Sequence, residues 1–126
     1  MLEGIEAAGY PSESIYVGGF SQGGAIALLA GLTYPRKLGG VAVLSGWLML
    51  REELAAGALA SPANAGIRVF WGHGESDGVV TYPLQAIGVS LLTELGADVT
   101  QKSYTRMAHS ACPQEFIDLN AWFNAA

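Results

Sequence analysis

The stretch Ser14-Ile15-Tyr16-Val17-Gly18-Gly19-Phe20-Ser21-Gln22-Gly23-Gly24-Ala25 decides how this chain is read. Ile15-Tyr16-Val17 is a β-branched and aromatic run, and it predicts a strand that ends at the Gly18-Gly19 pair. Ala25 to Leu32 is rich in helix formers and stops before Tyr34-Pro35, where the residue ahead of a proline resists the helical region. A strand running directly into a helix puts Gly19-Phe20-Ser21-Gln22-Gly23, a G-x-S-x-G pattern, at the turn. Such a turn holds its serine in a strained backbone, and small residues at 19 and 23 let the two segments pass. Ser21 Oγ would then stand at the carboxyl edge of a sheet, above a helix N-terminus. There the helix dipole and the Gln22 amide favour an oxyanion. The same pattern also occurs as a glycine-rich turn without chemistry. No Lys-Ser or Lys-Thr follows it, which excludes a P-loop, and the four glycines miss the spacing G-x-G-x-x-G.

Working outward, Leu2, Ile5 and Ala8 recur at helical spacing and stop at Gly9-Tyr10-Pro11. Leu38 to Leu44 contains the strand-like Val41-Ala42-Val43-Leu44. Ile67 to Trp71 predicts another strand, broken at Gly72 and Gly74, with Phe70 and Trp71 in the sheet core. Ala55 to Gly66 reads as a loop. Pro83 to Leu95 predicts a helix with Leu84, Ile87, Leu91, Leu92 and Leu95 along one face and Gly96 as its stop. Val99 to Tyr104 alternates as a strand, and Pro113 to Phe123 closes the chain as an amphipathic helix. The order α-β-α-β-β-α-β-α predicts an α/β fold, a mostly parallel sheet of about four strands flanked by helices. No repeat or linker divides residues 1–126, so a single domain is expected.

Composition narrows the function classes. Of 126 residues, 51% are hydrophobic and 13% charged, which excludes a disordered chain. The net charge of −5 argues against nucleic acid as a partner. Mean hydropathy is high at +0.33, and Ser14 to Pro35 is uncharged and long enough to span a bilayer. Its glycines, Ser21 and Gln22 interrupt the apolar run that insertion needs, and strands covered on both faces explain the hydropathy better. Met1 to Gly9 has two glutamates and no basic cluster, so no secretory signal is expected there. The lone Cys112 fits a reducing compartment. Its spacing to the two histidines matches no zinc site, and no metal is expected.

A serine nucleophile needs a base. His109, in Arg106-Met107-Ala108-His109-Ser110, falls in the loop between the last strand and the last helix, where the base of an α/β hydrolase belongs. His73, inside Gly72-His73-Gly74, is read instead as shaping its own turn through a local hydrogen bond. For the acid that orients the base, Asp77 in Gly74-Glu75-Ser76-Asp77-Gly78 has the reach. Glu75 lies closer to the strand end, and Asp98 and Asp118 read as solvent-facing. The order Ser21, Asp77, His109 is the nucleophile-acid-base order of that fold. Trp47-Leu48-Met49-Leu50 leaves the same sheet edge as an apolar stretch that would line a substrate groove or pack beneath a loop; the residues alone leave both readings open.

Four blocks together resemble a known family: Gly18-Gly19-Phe20-Ser21-Gln22-Gly23-Gly24-Ala25, Leu44-Ser45-Gly46-Trp47-Leu48, His73-Gly74-Glu75-Ser76-Asp77-Gly78-Val79-Val80 and Met107-Ala108-His109-Ser110. In order and spacing they are similar to the acyl-protein thioesterases, small α/β-hydrolase carboxylesterases also described as lysophospholipases. The resemblance implies Ser21 as nucleophile, Asp77 as acid, His109 as base and the Gln22 amide as an oxyanion donor. It implies substrates that are fatty-acyl thioesters on protein cysteines or oxygen esters of small or lipid molecules, and no cofactor; with the reducing compartment that Cys112 fits, a cytoplasmic setting is expected. It also implies further strands and a glycine-rich loop ahead of Met1, with a second oxyanion donor. This chain is therefore expected to be the C-terminal portion of the fold, from the nucleophile strand onward. Losing one donor costs roughly 2.7–4 kcal/mol of transition-state stabilisation. The bare edge of the nucleophile strand could pair with a second copy, and a catalytically impaired fragment that acts by binding is the alternative expectation.

Overall fold

The strand ahead of Ser21 does not stop at its glycines. In the computed structural model, which describes residues 1–125, β1 runs from Tyr16 to Phe20 and carries Gly18 and Gly19 inside it. Parallel pairing with β2 (Gly40–Leu44) continues through both, from Tyr16 opposite Gly40 to Phe20 opposite Leu44. The backbone ladder holds them in the strand although their missing side chains signal an end. β3 likewise extends past its predicted break, from Arg68 to Gly74, because β4 (Asp98–Tyr104) pairs with it along its whole length and β2 as far as Gly72. The sheet is wholly parallel in the order β1-β2-β3-β4.

Helices α1 (Leu2–Ala7), α2 (Gln22–Thr33), α3 (Arg51–Ala55), α4 (Pro83–Glu94) and α5 (Pro113–Asn124) flank the sheet. Sequence periodicity missed α3, a short helix just ahead of the stretch read as a loop and anchored by the fully buried Leu54. The period of two along the strands sorts the core. Val41, Val43, Val69 and Trp71 point to one face and pack with Leu28 and Leu32 of α2, Leu48, Leu54, and Leu92 of α4. Each such leucine, taken fully out of water, contributes about 1.5–3 kcal/mol. On the opposite face Trp122 of α5 meets Phe70 at 5.9 Å and Tyr16 edge-on at 5.9 Å, and the Arg68 guanidinium lies 4.6 Å from its ring centre.

Two assignments change with the packing. Ile87 is exposed, and the buried side of α4 is Gln85, Gly88 and Leu92. Gly88 leaves room for the Trp71 ring, while the Gln85 amide donates to the Trp71 and Lys102 carbonyls, so a fully buried polar side chain keeps its hydrogen-bond partners. Asp118 is half-buried rather than solvent-facing, and it accepts the Tyr104 hydroxyl at 2.7 Å. Among the described residues, no helix is long and apolar enough to cross a membrane.

The outer edge of β1 pairs with no strand among the described residues. Apolar grooves flank it on both faces. One, of about 570 Å³, lies between α1 and α2 and is lined by Leu2, Ile5, Val17 and Ile26. The other, of about 320 Å³, is lined by Val17, Ala42, Phe116, Leu119 and Phe123.

Candidate active site

β1 delivers its last residue to the carboxyl edge of the sheet, and α2 starts two residues later. Ser21 joins them with φ 58° and ψ −123°, a conformation that costs a non-glycine residue of order 1–3 kcal/mol. Three hydrogen bonds hold it there. The Ser21 amide donates to the Leu44 carbonyl at 2.8 Å, and the Ser21 carbonyl accepts from the amides of Gly24 and Ala25 at 3.0 and 3.2 Å. A Cβ on Gly19 would fall on the Gly23 carbonyl group and 2.7 Å from the Gly24 nitrogen, so the turn admits only glycine at 19. Position 23 differs from the expectation, because a Cβ there meets nothing within 4 Å. The second crowded position is Gly24, where a Cβ would sit 2.9 Å from the Gly19 carbonyl oxygen. The G-x-S-x-G spacing marks the turn correctly but misassigns which following glycine the crossing requires.

Asp77 sits in the turn that follows β3, with its side chain fully buried. Its Oδ1 accepts the amides of Val79 and Val80, both at 2.9 Å, which leaves Oδ2 facing His109. The His109 loop is tied back to the same turn. The Glu75 amide donates to the Tyr104 carbonyl at 2.9 Å, and the Ser76 amide to the Met107 carbonyl at 3.0 Å. His109 Nδ1 lies 2.9 Å from Asp77 Oδ2, and His109 Nε2 lies 3.0 Å from Ser21 Oγ. Three side chains from distant stretches of the chain thus form one line of hydrogen bonds. With Asp77 ionised, Nδ1–H donates to Oδ2 and the bare Nε2 accepts the Ser21 hydroxyl. Burial pushes the Asp77 carboxyl up, but the bonds from His109, Val79 and Val80 outweigh it and hold the group below the ordinary carboxylate range. Glu75 is exposed and takes no part in this line.

Gln22 opens α2, so its amide has no carbonyl one turn earlier in the helix to bond, and it lies beside Ser21. The Phe20 ring stands 4.8 Å from the His109 ring, a contact not anticipated from sequence although Phe20 adjoins Ser21. Leu48 belongs to the hydrophobic core, 4% exposed, whereas Trp47 and Met49 are half-buried. None of these three lines either groove beside β1, and neither groove includes Ser21 or His109. Among the described residues no cluster of His, Cys, Asp and Glu is arranged to hold a metal ion.

The chain is similar to known proteins along nearly all of its length. A family model described as phospholipase/carboxylesterase matches residues 3–126. Acyl-protein thioesterase 1 of Mycosarcoma maydis is 50% identical over 116 residues, which is 89% of this chain and 48% of that protein. A probable carboxylesterase of Oryza sativa subsp. japonica is 37% identical over 122 residues, 97% of this chain and 45% of that protein. Among solved structures, Arabidopsis thaliana SOBER1 superposes with a TM-score of 0.91 at 29% identity, covering 98% of this chain and 58% of that one. The chain spans about half the length of the curated relatives it matches.

Proposed function

This chain belongs to the phospholipase/carboxylesterase family, and on that premise we propose that it is a serine hydrolase of carboxylic esters and fatty-acyl thioesters, with acylated proteins or lipid esters as substrates. The observation that carries the reading is the unbroken hydrogen-bonded line from Asp77 through His109 to Ser21. Ser21 Oγ attacks the acyl carbonyl while His109 Nε2 takes its proton, and Asp77 holds the imidazolium through Nδ1–H. The Gln22 amide donates to the oxyanion, as the start of a helix favours. His109 then returns the proton to the departing thiolate or alkoxide, and the acyl group stays on Ser21. Water, deprotonated by the same histidine, attacks that ester and releases the fatty acid.

Residues 1–126 serve as one partial α/β-hydrolase domain in this reading. Trp47 and Met49 face the acyl chain, above Leu48 in the core. The single half-buried Cys112 fits a cytoplasmic setting.

A fluorophosphonate probe tests the assignment. Labelling is expected on Ser21 and is lost in Ser21→Ala; a folded protein that takes up no label refutes it. The β1 edge, without a partner strand among the described residues, and its two apolar grooves favour a second reading, a catalytically impaired form that acts by binding, including pairing with a second copy. A folded monomer on size-exclusion chromatography that turns over p-nitrophenyl esters would eliminate that second reading.

A further inference from the structure

His73 is fully buried at the end of β3 and stands outside the line of Ser21, His109 and Asp77. Its Nε2 is 2.8 Å from the Val80 carbonyl oxygen and 3.5 Å from Asp77 Oδ2. A carbonyl only accepts, so Nε2 carries the proton and donates it to Val80. Nδ1 is buried with no partner among the described residues. The other tautomer would bury an N–H without an acceptor and leave the Val80 carbonyl without its donor, which makes it the costlier form.

The bond lands on the turn that aims the catalytic carboxylate. Val80 offers its carbonyl to His73 and its amide to Asp77 Oδ1, and Val79 gives Oδ1 a second amide at 2.9 Å. Oδ1 is therefore held from one side by a peptide segment that is itself held by the imidazole. Oδ2 is left at 2.9 Å from His109 Nδ1, with the His73 N–H within 3.5 Å of it. From this arrangement we propose that His73 is a positioning residue: as the Nε2–H tautomer it clamps the Asp77–Val80 turn and so sets the direction in which Asp77 Oδ2 meets His109. The proposal rests on the serine-hydrolase reading for its kinetic consequence, but the geometry it describes exists without turnover.

The pair His73→Leu and His73→Gln tests it. Leucine fills much of the ring's space without a donor, whereas glutamine carries an N–H group that can reach the Val80 carbonyl. Two readouts are taken, the low-field proton resonance of His109 Nδ1–H and the steady-state constants with a p-nitrophenyl ester. In His73→Leu the resonance is expected to move or broaden away. Its kcat is expected to fall by about 10²-fold, the scale of a reacting group misplaced by an ångström, with KM nearly unchanged. His73→Gln is expected to retain the resonance and most of kcat. A folded leucine variant with the wild-type resonance and kcat overturns the proposal. Equal loss in both variants also overturns it, because packing rather than the donor would then be what matters. If the leucine variant fails to fold, a folded glutamine variant without the resonance overturns the proposal, and one that keeps it supports it. Loss of fluorophosphonate labelling in the unmodified protein would count against the hydrolase reading alone, since the resonance is read without activity.

Discussion

Glu115 offers a prediction whose size and sign both follow from its surroundings. It lies in the first turn of α5 with no exposed surface, pressed over Gly72, where a Cβ would fall on its Oε2. Neither carboxylate oxygen has a hydrogen-bond partner among the described residues. Burial, and then the negative charge of Asp118, push its pKa from 4.5 up to about 7. The N-terminus of α5 works the other way, but a helix end offers an anion only about 0.3–1 kcal/mol, too little to offset the burial. In the unfolded chain the group ionises near its ordinary value. Between pH 4.5 and about 7 the folded protein therefore keeps a proton that the unfolded chain has lost. The stability held below pH 4.5 is lost as pH rises through the folded value, and at 1.36 kcal/mol per unit the loss is about 3 kcal/mol. Glu115→Gln keeps the shape and cannot ionise. Urea unfolding, followed by the fluorescence of buried Trp71 and Trp122, should show the variant gaining about 3 kcal/mol relative to the parent between pH 4.5 and pH 8. A difference that stays constant across that range would mean the carboxylate finds a partner when charged, and would refute the reasoning.

Two glycine predictions test the scaffold of the site. At Gly74 a Cβ would fall on the Met107 carbonyl and 2.7 Å from the Ala108 carbonyl oxygen, both in the loop that carries His109. Gly74→Ala is expected to slow fluorophosphonate labelling by about 10²-fold while costing about 1–3 kcal/mol in urea unfolding; an unchanged labelling rate would show that the loop does not need this approach. Gly19→Ala should cost about 3 kcal/mol because only backbone stands in the way, whereas Gly23→Ala, next to it in the motif, should gain up to about 1 kcal/mol of helix stability. Equal thermal midpoints for those two variants would contradict the crowding described at the turn.

Much of the candidate site was legible because each of its residues lies on a short turn bounded by strong local signals. Ser21, Asp77 and His109 each follow a strand that β-branched and aromatic residues mark. Ambiguity came where a local signal competes with a long-range partner. Gly18, Gly19 and Gly72 read as strand ends, yet neighbouring strands hold them in the ladder. Ile87 reads as part of an apolar stripe, yet Trp71 needs the glycine one position on, and that turns Ile87 outward. Leu48 looked equal to Trp47 and Met49 in a run of apolar residues, and only packing separates it into the core.

The strands and the longer helices, the sharp turn at Ser21 and the candidates for base and acid are legible in the sequence alone, because periodicity, glycine placement and the few titratable residues available leave little choice. Tertiary structure decided the rest: which glycines are indispensable, which carboxylate oxygen faces the imidazole, and that His73 and Glu115 are buried. Those outcomes depend on distances between segments far apart in the chain, and no local pattern of residue types encodes such a distance.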